Sequence, residues 1–146
     1  MLSKRHVLGV VVLLCSLAAI AYADQPNMQA ARANLQQARA QLQAATANKG
    51  GHRVKAIEHV NNAIAYVNQG IAWDRRHNHA QHAPGASFNL ATSPDQPHMQ
   101  VALDDLRQAR SDLERATTDK GGYRKKAIDE VNKAIDETKK GIDAGE

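Results

Sequence analysis

Aromatic residues are scarce in this chain. One Phe, one Trp and three Tyr make up 3% of its 146 residues. β-Sandwiches and barrels draw their cores from aromatic and β-branched side chains, and an α/β enzyme core needs more chain than this. There is a single cysteine, Cys15, so no disulfide can close within one copy. The four prolines, Pro26, Pro84, Pro94 and Pro97, leave two long stretches uninterrupted. What remains is 42% hydrophobic residues, mostly Ala, Leu, Ile and Val, which is material for a small all-helical protein.

Residues 1–23 read as a secretory leader. Lys4 and Arg5 form its charged start, Val7 to Ile20 its apolar run, and Ala21-Tyr22-Ala23 its cleavage signal. The apolar run of 14 residues falls short of the roughly 20 that a membrane span requires. Leu14 before Cys15 does not suit a lipoprotein signal, which wants a small residue there. Cleavage between Ala23 and Asp24 is therefore expected, giving a periplasmic or secreted protein that does not span the membrane. Losing Lys4 and Arg5 leaves 17 basic against 15 acidic residues, too small an excess to point to nucleic acid.

The strongest signal is an internal repeat at an offset of 71. Residues 24–71 align without gaps on 95–142, with 26 identities in 48 positions. Asp24-Gln25-Pro26 returns as Asp95-Gln96-Pro97, and Lys55-Ala56-Ile57 as Lys126-Ala127-Ile128. Each unit carries two runs of heptad spacing. The first is Met28, Ala31, Leu35, Ala38, Leu42 and Ala45, copied as Met99, Ala102, Leu106, Ala109, Leu113 and Ala116. The second is Ile57, Val60, Ile64, Val67 and Ile71, copied as Ile128, Val131, Ile135, Thr138 and Ile142. Such spacing puts one apolar seam on each helix.

The helix ends are marked as clearly. Asp24 and Asp95 suit N-caps, with Pro26 and Pro97 in the first turn. Asn48-Lys49-Gly50-Gly51 and Asp119-Lys120-Gly121-Gly122 suit tight stops, with Gly50 or Gly121 left-handed. The following helix starts near His52 or Tyr123, so each unit is an antiparallel helix hairpin. A second stripe, Ala56, Ala63 and Gly70, copied as Ala127, Ala134 and Gly141, widens the apolar face beside the seam. The fold expected is all-α: two homologous antiparallel hairpins packed as a four-helix bundle. The domain layout is a leader at 1–23, hairpin repeat 1 at 24–72, a His-rich linker at 73–94, and hairpin repeat 2 at 95–146.

Chemistry is hard to find. The seams hold no Asp, Glu, His, Lys or Cys, and the Gly-Gly pairs follow helices rather than strands, so they form no nucleotide loop. No Ser–His–Asp set, HExxH motif or inward Glu-x-x-His pattern occurs. A non-enzymatic protein without a resident cofactor is expected. The one metal candidate is His77, His79 and His82, an H-x-H-x-x-H run in the linker whose imidazoles suit Cu(II), Ni(II) or Zn(II). His52 and His59 share a helix face about 10 Å apart. Their copies are Tyr123 and Glu130, and both histidines read as surface residues without a role. Polar residues kept in both units are Arg39/Arg110, Lys49/Lys120, Arg53/Arg124, Lys55/Lys126 and Asn61/Asn132. Arg39 and Asn61 flank the seam and are placed to bond across the hairpin, and Arg53 to reach the end carbonyls of the preceding helix. An alternative reading has the Lys-Gly-Gly-His/Tyr-Arg turns, with Arg53 and Arg124, presenting cations to an acidic partner.

The segments NKGGHRVKAIEHVNNAI and DKGGYRKKAIDEVNKAI, with Trp73-Asp74-Arg75-Arg76 after the first, resemble a motif of small secreted helical-hairpin proteins of Gram-negative bacteria. That resemblance covers both units and implies export and a helical fold. A looser similarity, in size, export, duplication and histidines, is to small periplasmic metal-binding four-helix proteins, whose helices carry a dense His pattern that this sequence lacks. Three functions stay open: a binding or structural role in the cell envelope, low-affinity metal binding through the linker, and a helical adaptor. The adaptor would dock a protein partner, or a second copy, along the Ala/Gly stripes.

Overall fold

The repeat and its punctuation give four helices. The structure, a computed structural model, describes residues 24–45, 50–77, 98–116 and 120–144. Helix α1 spans Asp24–Ala44, α2 His52–His77, α3 His98–Arg115 and α4 Tyr123–Asp143, with a short 3-10 turn at Lys120–Gly122 before α4. The leader 1–23, the remainder of the linker and the caps at Asp95 and Pro97 lie outside the described residues. Residues 73–77, the first part of the segment 73–94, are the last five of α2, so the helix runs through Trp73 and stops just before Asn78, where loop composition begins.

Each helix touches two others and none touches its diagonal: α1 packs on α2 and α3, and α4 on α2 and α3. The equivalent helices of the two repeats are thus neighbours. They run antiparallel. At one end Asn27 donates to the Arg115 carbonyl at 3.2 Å, and at the other His98 Nδ1 donates to Gln41 Oε1 at 2.8 Å. On the second pair His52 meets Glu137 and His59 meets Glu130. Helices α2 and α3 therefore point the same way, and His77 and His98 lie at opposite ends. The end of α2 and the start of α3 are thus separated by the length of the bundle.

An antiparallel pair of equivalent helices has a two-fold axis across it. At that axis a position faces its own copy. His59 and Glu130, 71 apart, do so. The mate of His52–Glu137 is Tyr66–Tyr123, and Lys126 Nζ sits 5.8 and 5.6 Å from those two ring centres.

The α1 and α3 seams are buried as their spacing predicts: Leu35, Leu42, Leu106 and Leu113 have no exposed surface. On α2, Val60, Val67 and Ile71 of the predicted seam are buried together with Ala56, Ala63 and Gly70 of the stripe beside it, whereas Ile57 and Ile64 are only partly covered. The small residues hold the line of closest approach, and the isoleucines roof its edges. A Cβ at Gly70 would stand 2.8 Å from Met28 Cε and 3.5 Å from Tyr123 Cβ. Both Ala/Gly stripes are consumed in this way between α2 and α4, so they offer no open groove to a partner.

Both hairpin turns are closed by left-handed glycines, Gly50 and Gly51 in one, Gly121 and Gly122 in the other. Gly121 has a second reason to be glycine. With φ 67°, its Cβ would lie 2.8 Å from Trp73 Nε1, so the end of α2 rests on the second turn. Gly121→Ala is expected to lose about 2–4 kcal/mol, combining left-handed strain with displacement of the indole. Gly51→Ala, at φ 77° with nothing within 4 Å, should lose only about 1–2 kcal/mol. Urea titration of the two variants checks this; equal losses would mean that Trp73 does not bear on the turn.

Candidate functional site

Polar side chains gather in three places, all between the repeats or at a hairpin end. The first is the turn ends. Arg53 donates to the Leu42 carbonyl at 3.2 Å, and Arg124 to the Leu113 carbonyl at the same distance. Each satisfies an end carbonyl of the preceding helix, as expected for Arg53. Their Nε atoms are buried and have no hydrogen-bond partner among the described residues. Arg39 reaches Asn61 Oδ1 at 3.4 Å across the first hairpin, also as expected.

The second place is the α1–α3 contact. Asn34 donates to Asp112 Oδ2 at 2.8 Å, while Gln108 and Arg115 donate to Asp112 Oδ1 at 3.2 and 2.9 Å. Nearby on α3, burial and the neighbouring Asp104 charge push the half-buried Asp105 carboxyl up to about 6. Its equivalent in the first repeat is Asn34, an uncharged residue. A carboxyl whose folded pKa lies above its unfolded value binds its proton more tightly when folded. Stability then falls as pH rises from about 4 to about 6. Asp105→Asn is expected to add about 1 kcal/mol at pH 7, after allowance for solvent screening at a half-exposed group. The gain should vanish below about pH 4. Thermal melts of both proteins at the two pH values check it.

The third place is the α2–α4 contact. His52 Nδ1 donates to Glu137 Oε2 and His59 Nδ1 to Glu130 Oε2, each at 2.8 Å. Lys140 and Lys133 complete the two clusters, at 2.9 Å from Glu137 and 2.6 Å from Glu130. The His52 and Lys140 bonds hold the Glu137 carboxyl at about 2. Burial pushes Glu130 up, but bonds from Lys133, His59 and Asn62 outweigh it and leave that carboxyl below its ordinary value. These histidines, read from sequence as surface residues without a role, join the two repeats. The signal was present in the copies, since two identical repeats would set His on His or Glu on Glu at the axis, where like charges repel.

Beside the α2 end, Lys120 Nζ lies 2.9 Å from Asp74 Oδ1, with 1% and 5% of the two side chains exposed. The Lys120 cation is thus turned inward, and the reading of its turn as a lure for an acidic partner fails there. Lys49 lies outside the described residues. This buried pair and Asn34–Asp112 are polar groups taken into the bundle beside the four seams, none of whose residues they include.

Of the metal candidates, His77 is the last residue of α2 and exposed. Its ring stacks on Trp73 with centroids 4.2 Å apart, and Nδ1 donates to the Trp73 carbonyl at 2.7 Å. His79 and His82 lie outside the described residues. Among the described residues no three His, Cys, Asp or Glu converge to hold a metal, and no helix is long and apolar enough to cross a membrane.

No protein-family model, curated protein or solved structure matches this chain. The site's own geometry therefore carries the functional reading.

Proposed function

We propose that the protein is exported, is cleaved between Ala23 and Asp24, and serves without catalysis as a small helical binding or structural protein of the cell envelope. The carrying observation is that the buried polar side chains hold the helices together. Asn34 is bonded to Asp112 and Asp74 to Lys120 across helices, while Thr138 is spent within α4 on the Ala134 carbonyl at 2.7 Å. A catalytic group has to reach a substrate with its proton or lone pair available; these are spent on helix ends and on joining the repeats. The leader-like residues 1–23 support export. Fractionating a Gram-negative host that expresses the chain, and weighing the product, tests the reading. A periplasmic or secreted protein beginning at Asp24 is expected; a cytoplasmic product keeping its leader would overturn it.

One observation favours a second reading, low-affinity binding of Cu(II), Ni(II) or Zn(II) through His77, His79 and His82. With Nδ1–H fixed on the Trp73 carbonyl, the His77 ring carries its lone pair on Nε2, the tautomer a metal ligand needs. Titration of the three ions, repeated after all three histidines are changed to Ala, decides it. Unchanged binding would discard the linker site.

A further inference from the structure

The axis that relates the repeats also relates the two ends of the bundle, so their differences show what divergence has added to each. One end gathers the C-termini of α2 and α3 and the start of α4. It exposes Arg75, Arg76, Arg115, Lys125 and Lys126. The equivalent positions at the other end are Glu146, Ala44 and Val54 for Arg75, Arg115 and Lys125. Only Lys126 keeps its charge there, as Lys55.

The carboxylates at the cationic end do not balance it. Asp74 and Asp112 are buried and bonded, and Glu114 is held by Arg110 at 2.9 Å. Asp129, exposed one turn beyond Lys125, and Asp24 and Asp119, whose side chains lie outside the described residues, are the remaining acidic positions near it; against Arg75, Arg76, Arg115, Arg124, Lys125 and Lys126 they leave it positive. At the far end Lys55, Lys139 and Lys140 are interspersed with Glu58, Asp136 and Asp143.

Helix dipoles explain part of this pattern. Cations at the C-termini of α2 and α3 are favourable, but Lys125 and Lys126 stand in the first turn of α4, which holds no acidic residue and where a dipole disfavours positive charge. Two further features share the end. Trp73 and Tyr123, partly exposed amphipathic aromatics, are the residue types that settle at a membrane–water boundary. Residue 24, where the chain enters α1, opens on the same end.

We propose that this cationic end is a docking surface for an anionic phospholipid bilayer. The bundle stands on the membrane, with Arg75, Arg76 and Lys125 directed at lipid phosphates, while Arg115, held by Asp112, and Lys126, beside the Tyr66 and Tyr123 rings, add to the positive field. A nucleic acid would be met by the same charge, yet the partly exposed Trp73 and Tyr123 favour lipid. The proposal rests on the envelope reading for where such a membrane is encountered, but a vesicle assay can fail while export stands.

The experiment uses the protein as it accumulates in the cell. It is co-sedimented with vesicles of three parts phosphatidylethanolamine to one part phosphatidylglycerol, and with vesicles of phosphatidylcholine alone. Binding to the anionic vesicles only, released in about 1 M salt, is expected. Arg75→Gln, Arg76→Gln and Lys125→Gln together should weaken it by about fivefold per charge, some hundredfold in all. Lys55→Gln, Lys139→Gln and Lys140→Gln remove the same charge from the far end and should leave binding within about threefold, since their charges lie several Debye lengths from the lipid. These side chains are exposed, and circular dichroism confirms that both variants remain folded. Equal losses in the two variants, no binding to anionic vesicles, or retention on duplex DNA in place of vesicles would each overturn the proposal.

Discussion

Replacing Asp74 by Ala lowers the folding stability by about 3–5 kcal/mol, among the largest losses expected from a single substitution. Asp74 Oδ1 and Lys120 Nζ lie 2.9 Å apart with almost no exposure. Removing the carboxylate takes away the charge 2.9 Å from a buried ammonium, whose desolvation is then offset less. Lys120 also has φ 49°, a left-handed conformation few side chains adopt, so its turn depends on the pair to hold it. Changing both residues, Asp74→Leu with Lys120→Met, should recover most of the loss, because apolar groups of similar volume replace a buried pair at little cost. Denaturant titration of the single and double variants checks this. A loss under about 1 kcal/mol for Asp74→Ala would place the pair in water, contrary to the structure.

The second large effect comes from the interior. Leu106 has no exposed surface and lies at mid-length of α3, at the level of its copy Leu35 on α1. Its seam neighbours along α3 are Ala102 and Ala109, and those of Leu35 along α1 are Ala31 and Ala38. Alanines have no atoms to swing into a vacated site, so Leu106→Ala leaves its cavity open. A loss of about 2–5 kcal/mol is expected, toward the upper part of that range. Val54→Ala, at a position 62% exposed, should change stability by about 0.5 kcal/mol or less. Thermal melts of both variants provide the check.

These two substitutions sit on either side of what the sequence made legible. The Leu106 seam follows from heptad spacing and the duplication, and the hairpins follow from the Gly-Gly stops. On α2 the seam holds at Val60, Val67 and Ile71, but Ile57 and Ile64 yield the buried line to Ala56 and Ala63 of the stripe beside it. Isoleucines look more like core than alanines do, yet a close helix crossing is set by its smallest residues. Asp74–Lys120 was not legible, because its members are 46 residues apart and nothing in the repeat says which way one hairpin lies on the other. The same ignorance of direction hid the histidine pairs. Were the hairpins parallel, each residue would face its own copy, and His52 would meet Tyr123. In the antiparallel arrangement only a residue on the axis does so, which turns the His59-to-Glu130 difference from a lost residue into a partner. His79, His82 and the leader lie outside the described residues, and the readings placed on them stand on sequence alone.

The central claim is that the second hairpin lies antiparallel on the first about a two-fold axis at His59 and Glu130. Pulsed electron–electron resonance between spin labels tests it directly, with Cys15 replaced by Ser if the leader is retained. One protein carries labels at positions 52 and 137, a second at 52 and 123. The arrangement described here predicts a short distance for the first pair. For the second it predicts a longer one, since position 123 lies level with residue 66, about 21 Å along the helix from residue 52. A short 52–123 distance with a long 52–137 distance would mean parallel hairpins and would contradict it.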